Sequence, residues 1–154
     1  MALYLVQHGR SLPKEQDPEQ GLSPEGFADV RRIAGVAGAY GIKPAAIVHS
    51  GKKRAMQTAR ILSEALLGDG GKTEARPGMG PLDNVAAVAD RVEPGDDIMM
   101  VGHLPFMERL TGLLVAGLSE RVVFKFQNGG IVCLDRNPDC RWWHIKWALM
   151  PRIS

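Results

Sequence analysis

The sequence predicts a single α/β domain, with three α/β/α layers built on a mainly parallel sheet that has antiparallel strands near the C-terminus. Short apolar segments at 3–6, 45–48 and 98–101 are each followed by a segment of helical periodicity, which is the alternation typical of parallel sheets. The segments after residue 122 are β-rich and separated by turn residues, as in antiparallel strands. The 154 residues, of which 45% are apolar, suffice for one core, and neither linker nor repeat divides the domain predicted over 1–154.

The first strand is predicted over Leu3–Val6. Residues 12–22 are rich in Pro, Glu, Gln and Gly without periodicity, which predicts an exposed loop. Ser23 and Pro24 then favour a helix start, with the serine as N-cap and the proline in the first helical position. Gly41 is a natural end for this helix. Its predicted apolar face consists of Phe27, Val30, Ala34 and Ala37.

Two further strand and helix pairs follow. The second strand is predicted over Ala45–Val48, with a helix from about Lys52 to Leu67. The Gly-rich segment 68–80 is predicted as a loop before a short helical segment that ends ahead of Pro94. The third strand is predicted over Ile98–Val101, and Pro105 is expected to open the next helix.

Three strands are predicted after that helix, over 122–126, 130–134 and 142–149, with a turn at 136–139 between the last two. In the last of these strands, alternation puts Trp143, Ile145 and Trp147 on one face. His144 is then expected on the other face, half exposed.

Composition excludes several classes of protein. The net charge is +2 and the basic residues are scattered, so we expect no nucleic-acid partner. The N-terminus lacks a basic segment and cleavage site, and no apolar run is long enough to span a bilayer, so we expect a cytoplasmic protein without membrane attachment. Cys133 and Cys140 are expected to be reduced thiols, although a bridge across a hairpin is the alternative.

Polar side chains follow each of the three predicted parallel strands. His8 follows the first strand, Ser50 and Arg54 follow the second, and His103 follows the third. In open α/β sheets, ligands bind outside the carboxyl ends of the strands, so we expect these side chains to converge. Arg54 would lie in the first turn of a helix, where the helix dipole disfavours a cation, and a bound anion would explain its placement. Two imidazoles and a guanidinium suit a phosphoryl group.

Three segments carry a resemblance to a known family. Gln7-His8-Gly9, the block Ser50–Ala59 with its Arg-Ala-Met-Gln-Thr-Ala sequence, and Val101-Gly102-His103 resemble the signature segments of the histidine phosphatase superfamily, whose fold is phosphoglycerate mutase-like. The second block is the most specific of the three. The short length, the segment Gly102–Pro105 and the hairpin-like end look most like the SixA-type phosphohistidine phosphatases.

The resemblance implies a mechanism and a set of roles. His8 would attack phosphorus and form a phosphohistidine that water then hydrolyses. His103 would stabilise the phosphoryl oxygens, and Gln7, Gly9 and Arg54 would bind the phosphate. No metal or other cofactor is implied. For attack, His8 must be neutral and held in one tautomer, and we expect a backbone carbonyl to accept from its other nitrogen.

Two positions bear on whether the protein is fully active, one where a phosphate contact is lost and one where a general acid is needed. Family members usually have Arg where this chain has Gln7, which removes a bidentate phosphate contact that Arg10, Lys52 or Lys53 could replace. Asp83 stands where larger relatives carry an acidic residue, so it is a candidate general acid, but an N-cap role is the more common one for such a residue. An imidazole leaving group would ease the need for an acid.

The expected function is removal of phosphate from phosphohistidine on a protein, such as a phosphotransfer domain. One alternative is a small-molecule phosphomonoesterase of the same superfamily, acting on a small phosphate ester. The other is a degenerate, non-catalytic member that only binds phosphorylated groups, because Gln7 replaces the usual Arg. His49 is expected to be structural, and Gly129-Gly130 is expected to form a turn or bulge.

Overall fold

A sheet of six strands forms the centre of the described chain. The structure is a computed structural model that describes residues 2–68 and 71–153. The strands are β1 (Leu3–Gln7), β2 (Ala46–His49), β3 (Thr73–Ala75), β4 (Ile98–Gly102), β5 (Ile131–Asp135) and β6 (His144–Leu149). The helices are α1 (Pro24–Ala39), α2 (Lys53–Leu67), α3 (Val85–Ala89) and α4 (Phe106–Ala116), with a short 3-10 turn at Pro94–Asp96.

The strand order is β3-β2-β4-β1-β5-β6. The first four strands in this order are parallel, whereas β5 is antiparallel to β1 and β6 is antiparallel to β5. The predicted fold class is therefore confirmed, including the antiparallel strands near the C-terminus. Because β1 and β4 lie side by side in the middle, their carboxyl ends are neighbours.

Helices cover both faces of the sheet. Alternate residues of β1 separate two cores, since Tyr4 and Val6 contact one cluster and Leu3 and Leu5 contact the other. Helices α1 and α2 pack on the first cluster, and α3 and α4 pack on the second. This arrangement is the three-layer α/β/α domain that the sequence predicts.

The start of α1 follows its sequence signals. The side chain of Ser23 accepts a hydrogen bond from the Gly26 amide at 3.0 Å, and Pro24 is the first helical residue. The predicted apolar face is correct at Val30, Ala34 and Ala37 but wrong at Phe27, which is only half-buried. The Phe27 ring lies under the guanidinium of Arg31 instead, and Ile33 occupies the core.

Two segments differ from the sequence prediction. The predicted loop at 68–80 contains β3, a three-residue edge strand that pairs only with β2 and buries none of its side chains, so no apolar pattern marks it. Residues 69–70 of that loop lie outside the described residues. The strand predicted over 122–126 is wrong: these residues form no strand, and the next strand along the chain, β5, pairs with β1 and β6 on its two sides. The apolar residues of that segment anchor a loop, with Phe126 buried against Phe124.

A bulge in the β5 and β6 pair overturns the predicted single face of the last strand. Trp147 pairs with Cys133, while Ile145 pairs with Leu134, so the strand gains one residue between them. Trp143 and Ile145 therefore pack on the α4 side, and Trp147 packs on the opposite side, with its ring 6.0 Å from that of Tyr4. His144 is exposed.

Both cysteines are free thiols in the structure. Cys133 is buried within β5, and this burial raises its pKa to about 11. Cys140 lies in the turn before β6, half-buried. In the part of the chain described, no helix combines the length and the apolar character needed to cross a membrane.

Candidate active site

The polar residues after three parallel strands meet at one edge of the sheet. Gln7 pairs with Gly102, and His49 pairs with Val101, so the residues that follow β1, β2 and β4 are neighbours. The ring centroids of His8 and His103 lie 5.0 Å apart. Arg54 Nε lies 3.3 Å from His8 Nε2, and Ser50 Oγ lies 2.6 Å from His103 Nε2. The convergence expected from the sequence is present in the structure.

The contacts of His8 define its tautomer. Its Nδ1 lies 2.6 Å from the carbonyl oxygen of Gly9, which can only accept, so Nδ1 carries the proton. Its Nε2 accepts from Arg54 Nε and therefore carries a lone pair. Burial lowers the pKa of His8 to about 4, with a further lowering by the Arg54 charge and an opposing effect of the Gly9 carbonyl. The ring is neutral at pH 7.

Backbone contacts hold the His8 segment in place. The His8 amide donates to Gly102 O at 3.0 Å, and the His8 carbonyl accepts from the Gly129 amide and from Asn128 Nδ2. Gly129 has φ of +82° in the turn that was predicted around it, a conformation that favours glycine. The backbone of His8 is thus tied to β4 on one side and to the loop before β5 on the other.

Thr58 links the first loop to α2. Its Oγ1 accepts from the Gly9 amide at 3.0 Å and donates to the carbonyl of Arg54 at 2.8 Å. Gly9 therefore has both of its backbone polar groups engaged, with Thr58 and with His8. A Cβ on Gly9 would lie 2.7 Å from Val30, so this position admits only glycine without movement of α1. Sequence reasoning missed the role of Thr58, although its i+4 spacing from Arg54 was a usable signal.

Arg54 carries a charge that no carboxylate neutralises within residues 2–68 and 71–153. It lies in the first turn of α2, whose N-cap Lys52 makes no side-chain capping bond. Its neighbour Lys53 contrasts with it, because Lys53 Nζ contacts Asp17 at 2.9 Å and Glu19 at 3.7 Å. A guanidinium at a helix start, half-buried and beside a histidine, is suited to an anion.

His103 is almost fully enclosed, with 1% of its surface exposed. Burial is the main cause that lowers its pKa to about 3, with smaller contributions from His8, which is protonated only at low pH, and from the charges of Arg54 and Lys52. The ring is therefore neutral. Ser50 Oγ bridges it to the start of α2, because the Lys52 amide also points at that oxygen at 3.4 Å.

Gln7 ends β1 with 8% of its surface exposed, and its Oε1 is buried without a hydrogen-bond partner in the described structure. Two of the three cations considered as substitutes for a family arginine are committed elsewhere. Arg10 pairs with Glu25 at 3.0 Å on the protein surface, and Lys53 pairs with Asp17. Lys52 remains near the histidines, where its charge contributes to the low pKa of His103.

Asp83 is not the N-cap of α3. Asn84 fills that position, with its Oδ1 accepting from the Ala86 amide at 2.9 Å. Asp83 Oδ2 instead accepts from the Gly80 amide at 2.7 Å, which closes a turn. The N-cap expectation for Asp83 is wrong because the helix starts one residue later. Asp83 lines an open cleft of about 780 Å³ together with Lys52 and Arg54.

His49 has a structural place. It ends β2, is buried, and its Nδ1 accepts from the Gly51 amide at 3.0 Å. Burial, followed by the Arg60 charge, lowers its pKa. Its lone pair is thus used to shape the turn that presents Ser50.

Comparison with solved structures places this site in a known fold. The structure of the protein histidine phosphatase SixA complexed with tungstate matches with a TM-score of 0.80, covering 98% of this chain and 97% of that chain at 19% identity. The chain has the histidine phosphatase fold. A SixA phosphohistidine phosphatase proposed for Agrobacterium tumefaciens has a TM-score of 0.75, with 24% identity over 97% of both chains. The alpha-ribazole phosphatase from Shigella flexneri has a TM-score of 0.71, with 15% identity over 100% of this chain and 98% of that chain.

No family model matches the sequence. No curated protein matches it either. The histidine phosphatase fold is therefore established by structural similarity alone, and what the residues at the carboxyl edge of the sheet can do depends on their own chemistry.

The protonation states of the two site histidines are testable. We expect both His8 and His103 to stay neutral between pH 8 and pH 5, because burial disfavours the imidazolium, and to take up protons only near pH 4 and pH 3. Nitrogen-detected NMR on histidine-labelled protein measures this directly, and it should show His8 with the proton on Nδ1. A histidine-containing peptide, titrating near pH 6.5, is the reference. A midpoint near 6.5 for His8 in the folded protein would contradict the enclosed site.

Proposed function

We propose that this protein is a phosphatase that forms a phosphohistidine on His8, and that its substrate is phosphohistidine carried by another protein. The observation that carries the proposal is the pair of contacts on the His8 ring. Gly9 O holds the proton on Nδ1, and the lone pair of Nε2 is directed at Arg54 Nε, 3.3 Å away. A neutral imidazole with an unprotonated Nε2, beside a cation that can bind phosphoryl oxygens, is suited to nucleophilic attack on phosphorus once those oxygens replace His8 as the partner of Arg54.

In the first step, the His8 Nε2 lone pair forms the new N–P bond while the bond from phosphorus to the leaving group breaks. A phosphoryl group at this place competes for the Arg54 donors, so the guanidinium exchanges His8 Nε2 for phosphoryl oxygens and frees the lone pair. The leaving imidazole of the substrate keeps the electron pair of the broken bond and takes a proton from water, and the hydroxide that remains is neutralised by a proton of the dihydrogen phosphate released in the second step. In the second step, water attacks phosphorus, the His8 N–P bond breaks, and inorganic phosphate leaves with the protons of that water.

The other site residues support the charge of the transferring group. In its Nε2–H tautomer, His103 directs its proton at Ser50 Oγ, 2.6 Å away, and a phosphoryl oxygen that replaced Ser50 Oγ would accept the same hydrogen bond, with the Ser50 hydroxyl then able to donate as well. Gln7 can add a neutral amide donor where the family has a guanidinium. Gly9 positions His8 through its carbonyl, and its own direct contact with phosphate stays a prediction.

Two features support a phosphohistidine on a protein as the substrate. The two carboxylates that line the cleft are both engaged, Asp83 by the Gly80 amide and Glu19 by Lys53 at 3.7 Å, and an imidazole leaving group depends less on an acid than an alkoxide does. The mouth is also open, with Leu82 on its rim 79% exposed, so a macromolecule can approach. A solved structure with the same fold is described as a protein histidine phosphatase.

The small-molecule alternative has one specific support, since the alpha-ribazole phosphatase from Shigella flexneri shares the fold. An alkyl phosphate ester would place more demand on an acid and on a lid that closes over the substrate. The non-catalytic alternative rests on Gln7, because a site short of one cation can bind a phosphorylated group without turning it over.

Substrate preference separates the two catalytic proposals. We expect kcat/KM to be highest for a protein-borne phosphohistidine, lower for an aryl phosphate and lowest for sugar phosphates, because leaving-group quality and access both decrease in that order. Phosphate release by the same enzyme preparation is the measurement. A strong preference for one sugar phosphate would overturn the phosphohistidine assignment and favour the small-molecule one.

A further inference from the structure

We propose that a second, basic cleft beside His8 is a docking surface for an acidic patch on the protein substrate. The proposal rests on the proposed function, and it adds the surface by which the partner is recognised. The cleft has a volume of about 470 Å³. It is lined by Arg10, Asp29, Lys125, Phe126, Gln127, Asn128, Pro151 and Arg152.

Sheet topology puts this cleft at the same edge as the candidate active site. Ile131 at the start of β5 pairs with Val6 near the end of β1, and it also pairs with Leu149 at the end of β6. The segments just before β5 and just after β6 therefore lie level with His8. Arg10, which lines this cleft, is two residues beyond His8, whereas Arg54 lines the separate cleft of about 780 Å³ that Lys52 and Asp83 also line.

A direct contact joins the cleft to the nucleophile. Asn128, which lines the cleft, donates from Nδ2 to the carbonyl oxygen of His8 at 3.0 Å. The adjacent Gly129 amide donates to the same oxygen. A protein bound in this cleft would thus be placed within a few residues of the phosphoryl site, close enough for one partner to occupy both.

The charge of the cleft is positive after its internal pairs are counted. Arg10 pairs with Glu25, and Asp29 is shared by Arg32 and Arg152. The cleft itself is lined by three cations, Arg10, Lys125 and Arg152, and by one carboxylate, Asp29. Including the partners Arg32 and Glu25 gives four cations and two carboxylates, so the net charge stays positive. Lys125 is exposed and forms no ion pair in the described part of the chain.

Ion pairs and the C-terminal segment fix the arginines of this cleft. Arg10 pairs with Glu25, and Arg152 pairs with Asp29. Gln127 exchanges two hydrogen bonds with the backbone of Arg152, and Arg32 donates to Pro151 O at 2.8 Å. The wall is therefore ordered before a partner arrives, which lowers the entropy cost of binding. Positive potential beside an open site favours an acidic protein surface and raises its association rate.

The test compares Lys125→Glu with Lys43→Glu. Lys43 is an exposed lysine just before β2, at the amino ends of the parallel strands and away from the cleft. Its replacement by Glu therefore changes the protein's charge by the same amount without changing the cleft. The substrates are a histidine phosphotransfer domain of net negative charge, phosphorylated with phosphoramidate, and a short phosphohistidine peptide that lacks the acidic surface. Both substrates present the same leaving group.

We expect Lys125→Glu to lower kcat/KM for the phosphorylated domain by roughly three- to tenfold, mainly through KM, and to leave the peptide unchanged. The wild-type rate on the domain should fall as salt is raised, and this dependence should be weaker in Lys125→Glu. Lys43→Glu should resemble wild type on both substrates. An equal effect of the two variants, or an equal loss on domain and peptide, would overturn the docking proposal.

Binding without turnover separates this proposal from the proposed function. In a His8→Asn background, affinity for the phosphorylated domain should drop several-fold on adding Lys125→Glu but not on adding Lys43→Glu. Should wild type bind the domain with this dependence on Lys125 and yet release no phosphate, docking stands and the proposed catalysis fails. Should wild type release phosphate while Lys125→Glu neither binds nor reacts differently, catalysis stands and docking fails.

Discussion

Replacing His8 with asparagine is expected to lower kcat by at least about 10⁴-fold, because the variant has no imidazole nitrogen to attack phosphorus. The fold should survive the change. The only described hydrogen bonds of the His8 side chain are to its neighbour Gly9 and to Arg54, and the bonds that anchor this segment come from its backbone. Phosphate release measures the loss, and thermal unfolding followed by circular dichroism checks the fold.

Covalent labelling adds a readout that rate alone does not provide. With a radiolabelled phosphoryl donor in a single turnover, wild type should carry acid-labile phosphate on His8, and His8→Asn should carry none. His144→Asn is the matched control, since this histidine is exposed on β6 and far along the chain from the site. Substantial activity in His8→Asn would remove His8 as nucleophile. Tight binding of the donor by wild type without any label would favour the non-catalytic alternative.

Replacing Arg54 with alanine is expected to lower kcat/KM by roughly 10²- to 10⁴-fold, the effect of losing a charged donor that is strongest in the transition state. The guanidinium has no carboxylate partner in the described chain, so the phosphoryl group is the anion it is placed to bind. Arg54→Lys should recover only part of the loss, because an ammonium cannot form a bidentate contact. Steady-state kinetics with protein-borne phosphohistidine is the measurement.

A second readout ties Arg54 to the nucleophile. The Arg54 charge is one of the causes that lower the pKa of His8 to about 4, so its removal should raise that pKa. NMR titration of Arg54→Ala detects this shift independently of activity. Arg60→Ala, an exposed arginine on the same helix, should leave both the rate and the His8 titration close to wild type. A rate for Arg54→Ala within tenfold of wild type would exclude Arg54 as the main phosphate contact.

Elements with a buried face could be predicted, and elements without one could not. The strands β1, β2 and β4 are apolar because helices cover both of their faces, so their positions follow from composition alone. The edge strand β3 is stabilised by backbone pairing with β2, which leaves no trace in side-chain type. The segment 122–126 has the composition of a strand, but its apolar side chains are used to anchor a loop, with Phe126 buried against Phe124.

The side-chain faces of the last strand show the same limit. Strict alternation places Ile145 and Trp147 together, and the bulge opposite Cys133 and Leu134 sends them to opposite cores. An insertion of one residue in a strand is a property of the pair, because it is defined by the register of the partner. Nothing within residues 142–149 alone marks it.

The fold class and the residue types that meet at the site follow from the order of residues along the chain. Strand ends followed by His8, Arg54 and His103 must meet at one sheet edge in any open parallel arrangement, because carboxyl ends of neighbouring parallel strands lie side by side. Which atoms of those residues face one another depends on how the folded chain packs. The proton on His8 Nδ1 depends on Gly9 O, Asp17 pairs with Lys53 and not with Arg54, and Arg10 pairs with Glu25 and lines the second cleft. These are contacts between groups distant in the chain or set by local loop geometry, and distances of 3 Å are fixed by packing that no sequence pattern encodes.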